Sequence, residues 1–279
     1  FSVAAATVNK HNLPSQVVVL SPLIQIRTGG GYSRYPIVVT VPVQLPPNHM
    51  AMAFFYNTSS GKLEGLPLLQ ASENKIRFAT RHFDEVSQPP HGDQQTKSNG
   101  QRDLSEAAKL AESTPHATQV IILSAAESLL KQQSVIVTGF SPGVDDWEFT
   151  NFGSFLAPGG HCAGQSISAM WYFFERKLFG APSLYHSMDT LQKNKLTLWQ
   201  DNPLGYKFAS VVQDEIKWDT KIYDLFEKIE TTPDFHFLSW NAFALSMFIT
   251  GEPQFVGLTS EKGGGHAIVA YKINLTDKI

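Results

Sequence analysis

Apolar residues in the first third of the chain recur with the period of β-strands. Residues 75–80 alternate well between two faces, with Ile76 and Phe78 on the same face. Other runs are rich in β-branched and aliphatic residues, and they predict strands at 17–27, 37–41 and 50–56. Glycine- and polar-rich turn clusters separate these runs. The pattern is typical of a small all-β sandwich domain over residues 1–86.

A polar segment at residues 87–102 separates this region from a second one of mixed character. It reads SQPPHGDQQTKSNGQR and contains no large apolar residue, as is typical of a linker or a mobile loop. Beyond it, residues 103–279 mix the helical and the strand period, so we predict an α+β domain. The predicted helices are 103–113, 119–132, the helix after Cys162, 207–218, 221–230 and 235–249, and the predicted strands are 135–138, 254–258 and 266–273.

The clearest helical pattern follows Cys162, the only cysteine of the chain. Apolar residues from 163 to 178 recur at the spacing of one helix face. Gly159 and Gly160 precede the cysteine, and Gly180 is a candidate for the end of the helix. The pattern therefore predicts that the thiol lies at a helix N-terminus.

Composition and charge narrow the classes of function. The 279 residues carry a net charge of −3, which gives no reason to expect nucleic acid or an anionic membrane as a partner. No run of 18 or more apolar residues exists, so we predict no membrane-spanning segment. One cysteine excludes an intrachain disulfide and a thiolate-rich zinc site, and we expect no metal and no other cofactor.

The location of the protein is predicted only from general features of the sequence. The chain begins with Phe1 rather than Met, which indicates a processed or trimmed product. The low charged fraction and the frequent Asn, Ser, Thr and Gln residues favour an extracytoplasmic location, secreted or at the cell surface. Nothing in the sequence fixes the oligomeric state.

The predicted helix start at Cys162 has the chemistry of a thiol nucleophile. A thiol reacts as the thiolate, and a helix N-terminus favours the thiolate through its partial positive charge and free N–H groups. The same N–H groups could stabilise an oxyanion. His266 is the candidate base, because it follows three glycines and begins an alternating strand. A buried, inert Cys162 and a structural His266 are the alternatives.

These two motifs together resemble the papain-like cysteine peptidase superfamily. The stretches are GGHCAGQSISAMWYF at 159–173 and GGGHAIVAYKI at 263–273, and they are most similar to bacterial members with a Gly-Gly-x-Cys-x-Gly helix start. The resemblance covers residues 147–273. It implies a papain-like C-terminal domain in which Cys162 is the nucleophile and His266 is the general base.

Two positions depart from the pattern of the family. The family usually carries an oxyanion-hole Gln before the cysteine, where this chain has Leu156. Asn151 is the candidate substitute, while Gln165 lies inside the predicted helix. The third member, an Asn or Asp, usually follows the histidine at a greater distance than Asn274 or Asp277 does here. The triad is compressed, or its third member lies beyond this chain, or the site is a dyad.

The N-terminal part has a resemblance of its own. Residues 39–87 are similar to β-sandwich modules of large surface and receptor proteins. This resemblance implies a structural or partner-binding module, with His82 and Phe83 as packing residues.

Three functions are consistent with these observations. The first is a secreted cysteine peptidase or amide hydrolase that forms an acyl-enzyme on Cys162, with a peptide or protein as its substrate. The second is a catalytically inactive papain-like domain that serves as an adhesion or binding module. The third is acyl transfer, which uses the same dyad and a different acceptor.

Overall fold

A computed structural model of the protein describes residues 13–27, 36–56, 61–80, 117–185, 187–188, 203–215, 235–259 and 264–274. Within these ranges the fold is mixed α+β, as predicted, with several antiparallel sheets and four α-helices. The chain divides into two compact units. The first unit is Phe1–Gln132 with Asp224–Thr250, and the second is Gln133–Tyr223 with Gly251–Ile279.

The described elements of the first unit are mostly strands. They are β1 (Val18–Val19), β2 (Ile24–Arg27), β3 (Ile37–Pro42), β4 (His49–Tyr56), β5 (Leu63–Gly65), β6 (Leu68–Ser72), β7 (Lys75–Thr80) and β8 (Ala117–Ala126). The helices of this unit are α1 (Glu127–Gln132) and α4 (Phe235–Thr250).

The described elements of the second unit mix helices and short strands. Its helices are α2 (Cys162–Glu175) and α3 (Pro203–Glu215), with a 3-10 turn at Lys177–Phe179 after α2. Its strands are β9 (Val135–Val137), β10 (Gln254–Thr259), β11 (Gly265–Ala270) and β12 (Lys272–Asn274). No helix in the described ranges of either unit is long and apolar enough to cross a membrane.

Two antiparallel sheets of the first unit share one apolar core. In the larger sheet β8 pairs with β1, β2 and β4, and β5 continues from β4. In the smaller sheet β7 lies between β3 and β6. The shared core is made by Val41, Val43, Ala51, Ala53, Phe55, Leu66, Ile76, Phe78, Val120 and Ile122. Ile76 and Phe78 are both completely buried, as the alternation of β7 predicts.

The predicted helix at 119–132 is wrong over most of its length. The chain is strand β8 up to Ala126, and only Glu127–Gln132 is helical. Four consecutive residues of β8, 120–123, are completely buried. A strand that is buried on both faces gives a continuous apolar run, which periodicity alone does not distinguish from a buried helix.

The two units also differ from the domains predicted at 1–86 and 103–279. Strand β8 pairs with β4 along the register from His49–Ala126 to Phe55–Val120, so the first unit extends past residue 103. Helix α4 also belongs to the first unit. The predicted linker at 87–102 and the predicted helices at 103–113 and 221–230 lie outside the described residues.

The second unit follows the predicted elements more closely. Helix α2 begins at Cys162, and the predicted helix at 207–218 is found as α3. The predicted strand at 266–273 is divided by Tyr271 into β11, which pairs with β10, and β12, which pairs with β9. The core of this unit is formed by Phe140, Trp147, Phe149, Ala169, Tyr172, Phe173, Leu184 and Ala209.

Candidate active site

Cys162 is the first residue of helix α2, and a compact loop leads into it. The N–H of Gly160 donates to the carbonyl of Ala157, and the N–H of Ser154 donates to the same carbonyl. Gly160 has a φ of 112°, a conformation that a residue with a side chain rarely adopts. Gly160 therefore allows the turn that starts the helix.

The side chain of Asn151, on the preceding loop, forms a hydrogen bond to the backbone of this turn. Its Oδ1 accepts the N–H of His161 at 2.5 Å, and the side chain of His161 makes no capping hydrogen bond. An asparagine that accepts an N–H at a helix start acts as a cap. The structure thus gives the Oδ1 of Asn151 a positioning role next to Cys162, and the role of the same amide as an oxyanion donor stays a prediction.

Two variants of Asn151 test whether its Oδ1 acts as the cap acceptor. If Oδ1 serves as the cap acceptor, Asn151→Ala lowers the free energy of unfolding by about 1 kcal/mol. Asn151→Asp keeps an acceptor oxygen and is expected to stay within about 0.5 kcal/mol of the wild type. Urea denaturation measures both. Equal losses of stability in the two variants would contradict the cap role.

Gln165 and Leu156 occupy places other than an oxyanion hole. The Nε2 of Gln165 donates to the carbonyl of Phe149 at 3.0 Å, so this side chain ties α2 to the preceding loop. Leu156 is half exposed on the loop before the cysteine, together with the more exposed Phe152 and Phe155. Phe155 is 98% exposed, although the loop that carries it is closed by backbone hydrogen bonds.

The sulfur of Cys162 lies against the start of strand β11. Its Sγ accepts the N–H of Ala267 at 3.4 Å, and Ala267 directly follows His266. Cys162 is free and partly exposed. The structure therefore brings the thiol against the backbone of the residue that follows His266, although the two segments are far apart in the sequence.

The His266 side chain lies on the exposed face of β11. Ala267 is buried and Val269 packs against the core that includes helix α2, whereas His266 and Ile268 are exposed. Among the hydrogen bonds of the described residues, the partner of Sγ is the Ala267 N–H and not the His266 imidazole.

Asn274, the candidate third member, lies further along the same extended run. It belongs to β12 and pairs with Val135 of β9. Between His266 and the end of β11 the chain already moves away by about 13 Å, at the usual rise of a strand. Asp277, the other candidate, is outside the described residues. The described structure therefore brings Cys162 against the start of β11, and Asn274 as the third member stays a prediction.

His161, which directly precedes the cysteine, is completely buried. Aromatic rings from two other segments enclose its imidazole. The ring centroid of Tyr206 lies 4.6 Å away and that of Phe149 lies 5.7 Å away. Its Nδ1 has no hydrogen-bond partner, and burial lowers the pKa of the imidazole, so the neutral form is favoured. The packing of this ring fixes the position of the helix start next to Cys162. No local pattern in the sequence identifies this role of His161.

Gly164 brings helix α3 against the first turn of α2. A Cβ at this position would lie 2.0 Å from the carbonyl oxygen of Ala209, so only glycine fits. The N–H of Gly164 donates to Oε1 of Gln213 at 2.9 Å, and that of Gln165 donates to the carbonyl of His161. Among the described residues, the N–H groups that have no such partner in this turn are those of Cys162 and Ala163.

The described residues contain no cluster of three or more His, Cys, Asp or Glu side chains that could hold a metal ion. Comparison of the chain with protein-family models, with curated proteins and with solved structures finds no match. The function proposed for the site therefore depends on its geometry and on the two sequence motifs.

Proposed function

We propose that the second unit is a cysteine hydrolase of papain-like type, which cleaves a peptide or amide bond through an acyl-enzyme on Cys162. One observation carries the proposal. The thiol lies at the first residue of a 14-residue helix, and its Sγ is 3.4 Å from the N–H of the residue that follows His266. A nucleophile at a helix start beside a histidine-bearing strand is the arrangement that thiol catalysis needs.

The proposed chemistry uses groups that this chain supplies. Sγ attacks the carbonyl carbon of the substrate while His266 takes the thiol proton. The N–H groups of Cys162 and Ala163 offer hydrogen bonds to the negative oxygen that forms. The C–N bond then breaks, and the leaving amine takes the proton from His266. Water, deprotonated by His266, hydrolyses the thioester and restores the thiol.

A peptide substrate is favoured by the surface next to the nucleophile. Phe152 and Phe155 are exposed on the loop that leads into α2, and exposed aromatic side chains commonly mark a binding surface. We further propose that the protein acts outside the cytoplasm, as the low charged fraction and the frequent Asn, Ser, Thr and Gln residues of the sequence suggest.

The second candidate is an inactive papain-like binding module. The exposed position of His266 and the use of the Ala267 N–H as the partner of Sγ favour it. Acyl transfer shares every step up to the thioester, and the mass of the product distinguishes it from hydrolysis when an amine is added.

Alkylation of Cys162 tests the enzyme proposal. In the native protein we expect iodoacetamide to label Cys162 readily at about pH 7, below the range in which an ordinary thiol reacts. His266→Ala should slow this labelling at least about tenfold, because the base that takes the thiol proton is gone. His236→Ala, which removes an exposed histidine of the first unit, is the matched control and should leave the rate unchanged.

Cleavage of a casein digest, followed by mass spectrometry, gives the second readout. We expect Cys162→Ala to abolish cleavage and His266→Ala to lower it about a hundredfold. If Cys162 reacts only after denaturation, or if the digest is cleaved equally by Cys162→Ala, the hydrolase proposal fails. Rapid labelling that depends on His266, together with no cleavage of any peptide, would favour the binding module.

A further inference from the structure

A partly open cavity of about 380 Å³ lies in the first unit, whereas Cys162 belongs to the second. Helix α4 covers it on one side, and strands β4 and β6 line the other. Most of its wall is apolar, with Met50 from β4, Leu69 from β6 and Leu245 from α4. This volume is within the usual range of small-molecule sites, which are mostly apolar and carry a few polar groups.

The strands that line the cavity are incompletely paired or irregular. Strand β5 pairs only with Phe54–Tyr56 of β4, so the half of β4 that begins at His49 has β8 on one side and no strand of the described sheet on the other. Strand β6 is an edge strand whose register shifts between Leu68 and Gln70. Such irregularities occur where a sheet edge is shaped for another purpose.

Two amide side chains on the cavity wall have no hydrogen-bond partner within the part of the chain that the structure describes. Gln70 on β6 and Asn241 on α4 both line the cavity and are partly buried. Neither side chain makes a hydrogen bond to another group of the described residues. Both amides are only partly buried, so a bound molecule with a hydrogen-bonding group would take the place of water as their partner.

The charged groups at the cavity determine which ligands fit. Glu127 lines it, and its carboxylate lies 3.4 Å from the Nζ of the exposed Lys131. His49 lines it too, and its Nδ1 is within hydrogen-bond distance of Ser124 Oγ. The cavity therefore presents a carboxylate and no unpaired cation from the residues that line it, which disfavours an anionic ligand.

We propose that this cavity binds a small, neutral and mainly apolar molecule that carries one hydrogen-bonding group, with Gln70 and Asn241 as its polar partners. An apolar cavity of about 150 Å³ holds benzene, so a volume of this size admits roughly 15 non-hydrogen atoms. The site is separate from Cys162 and does not depend on the hydrolase proposal.

Titration with N-phenyl-1-naphthylamine, a neutral fluorescent amine of suitable size, tests the site in the full chain. We expect one molecule to bind per chain with a rise in fluorescence. Ala242→Phe fills the cavity from α4 and should weaken binding at least about tenfold. His236→Phe adds the same ring to an exposed position of the same helix outside the cavity, and it should leave the affinity unchanged.

A second variant keeps the test decisive if the bulky substitution disturbs folding. Asn241→Leu preserves the volume and removes the amide, and we expect about three- to tenfold weaker binding. Circular dichroism and thermal unfolding report whether each variant is folded. No binding by the wild type, or equal affinity in wild type and folded Asn241→Leu and Ala242→Phe, would overturn the proposal.

Discussion

Gly164→Ala is expected to destabilise the second unit by about 3 kcal/mol, although alanine is the better helix former. The added Cβ would lie 2.0 Å from the carbonyl oxygen of Ala209 and 2.9 Å from the N of Gln213. Both atoms belong to the backbone of α3, which cannot rotate out of the way as a side chain could. The two helices must therefore separate, and the hydrogen bond from Gly164 to Gln213 must lengthen.

Gly159→Ala is the matched control, three residues before Cys162. A Cβ at Gly159 meets no atom within 4 Å, and its backbone does not need a left-handed conformation. We expect a change within about 0.5 kcal/mol in urea denaturation followed by tryptophan fluorescence. Because Gly164 lies in the first turn of the helix, its replacement should also change the rate at which Cys162 is alkylated. A stability of Gly164→Ala equal to that of Gly159→Ala would refute the close contact.

The periodicity of the sequence predicts the elements whose two faces differ. Strand β7 shows this best, because its buried residues Ile76 and Phe78 alternate with less buried ones. Helix α2 was likewise predicted from one apolar face, and it begins at Cys162 as expected. In both elements the pattern records which face meets the core, so local sequence carries enough information.

Elements with no contrast between faces are where sequence reasoning fails. Strand β8 is apolar on both sides and was predicted as a helix, and its pairing with β4 spans some 70 residues of sequence. The burial of His161 likewise depends on Tyr206, which lies on α3. These features depend on contacts between distant segments, which a local pattern does not contain.

The candidate site shows the same division. The glycines before Cys162 and the strand that carries His266 are both legible in the local sequence, and the structure brings these two segments together. The local sequence does not show which atom of the Asn151 amide forms a hydrogen bond, because an amide has both a donor and an acceptor. Only the position of the His161 N–H shows that the acceptor oxygen is used there.

Phe78→Ala is expected to lower the stability of the first unit by about 4 kcal/mol. Phe78 is completely buried at the centre of the smaller sheet, where it pairs with Val39 on one side and Leu68 on the other. Removal of its ring leaves a cavity between two sheets whose backbone hydrogen bonds prevent them from closing over it. The loss therefore includes the transfer free energy of the ring and the cost of the empty volume.

Phe237→Ala provides the comparison, since Phe237 is the same residue type in the same unit and is 60% exposed. Its ring gains little from folding, so we expect a loss below about 1 kcal/mol. Urea denaturation of both variants under identical conditions measures the difference. Similar losses for the two would mean that Phe78 does not lie in a shared core, and the packing of β7 between β3 and β6 against the larger sheet would have to be revised. A difference of about 3 kcal/mol or more would instead locate the main source of stability of this unit between its two sheets.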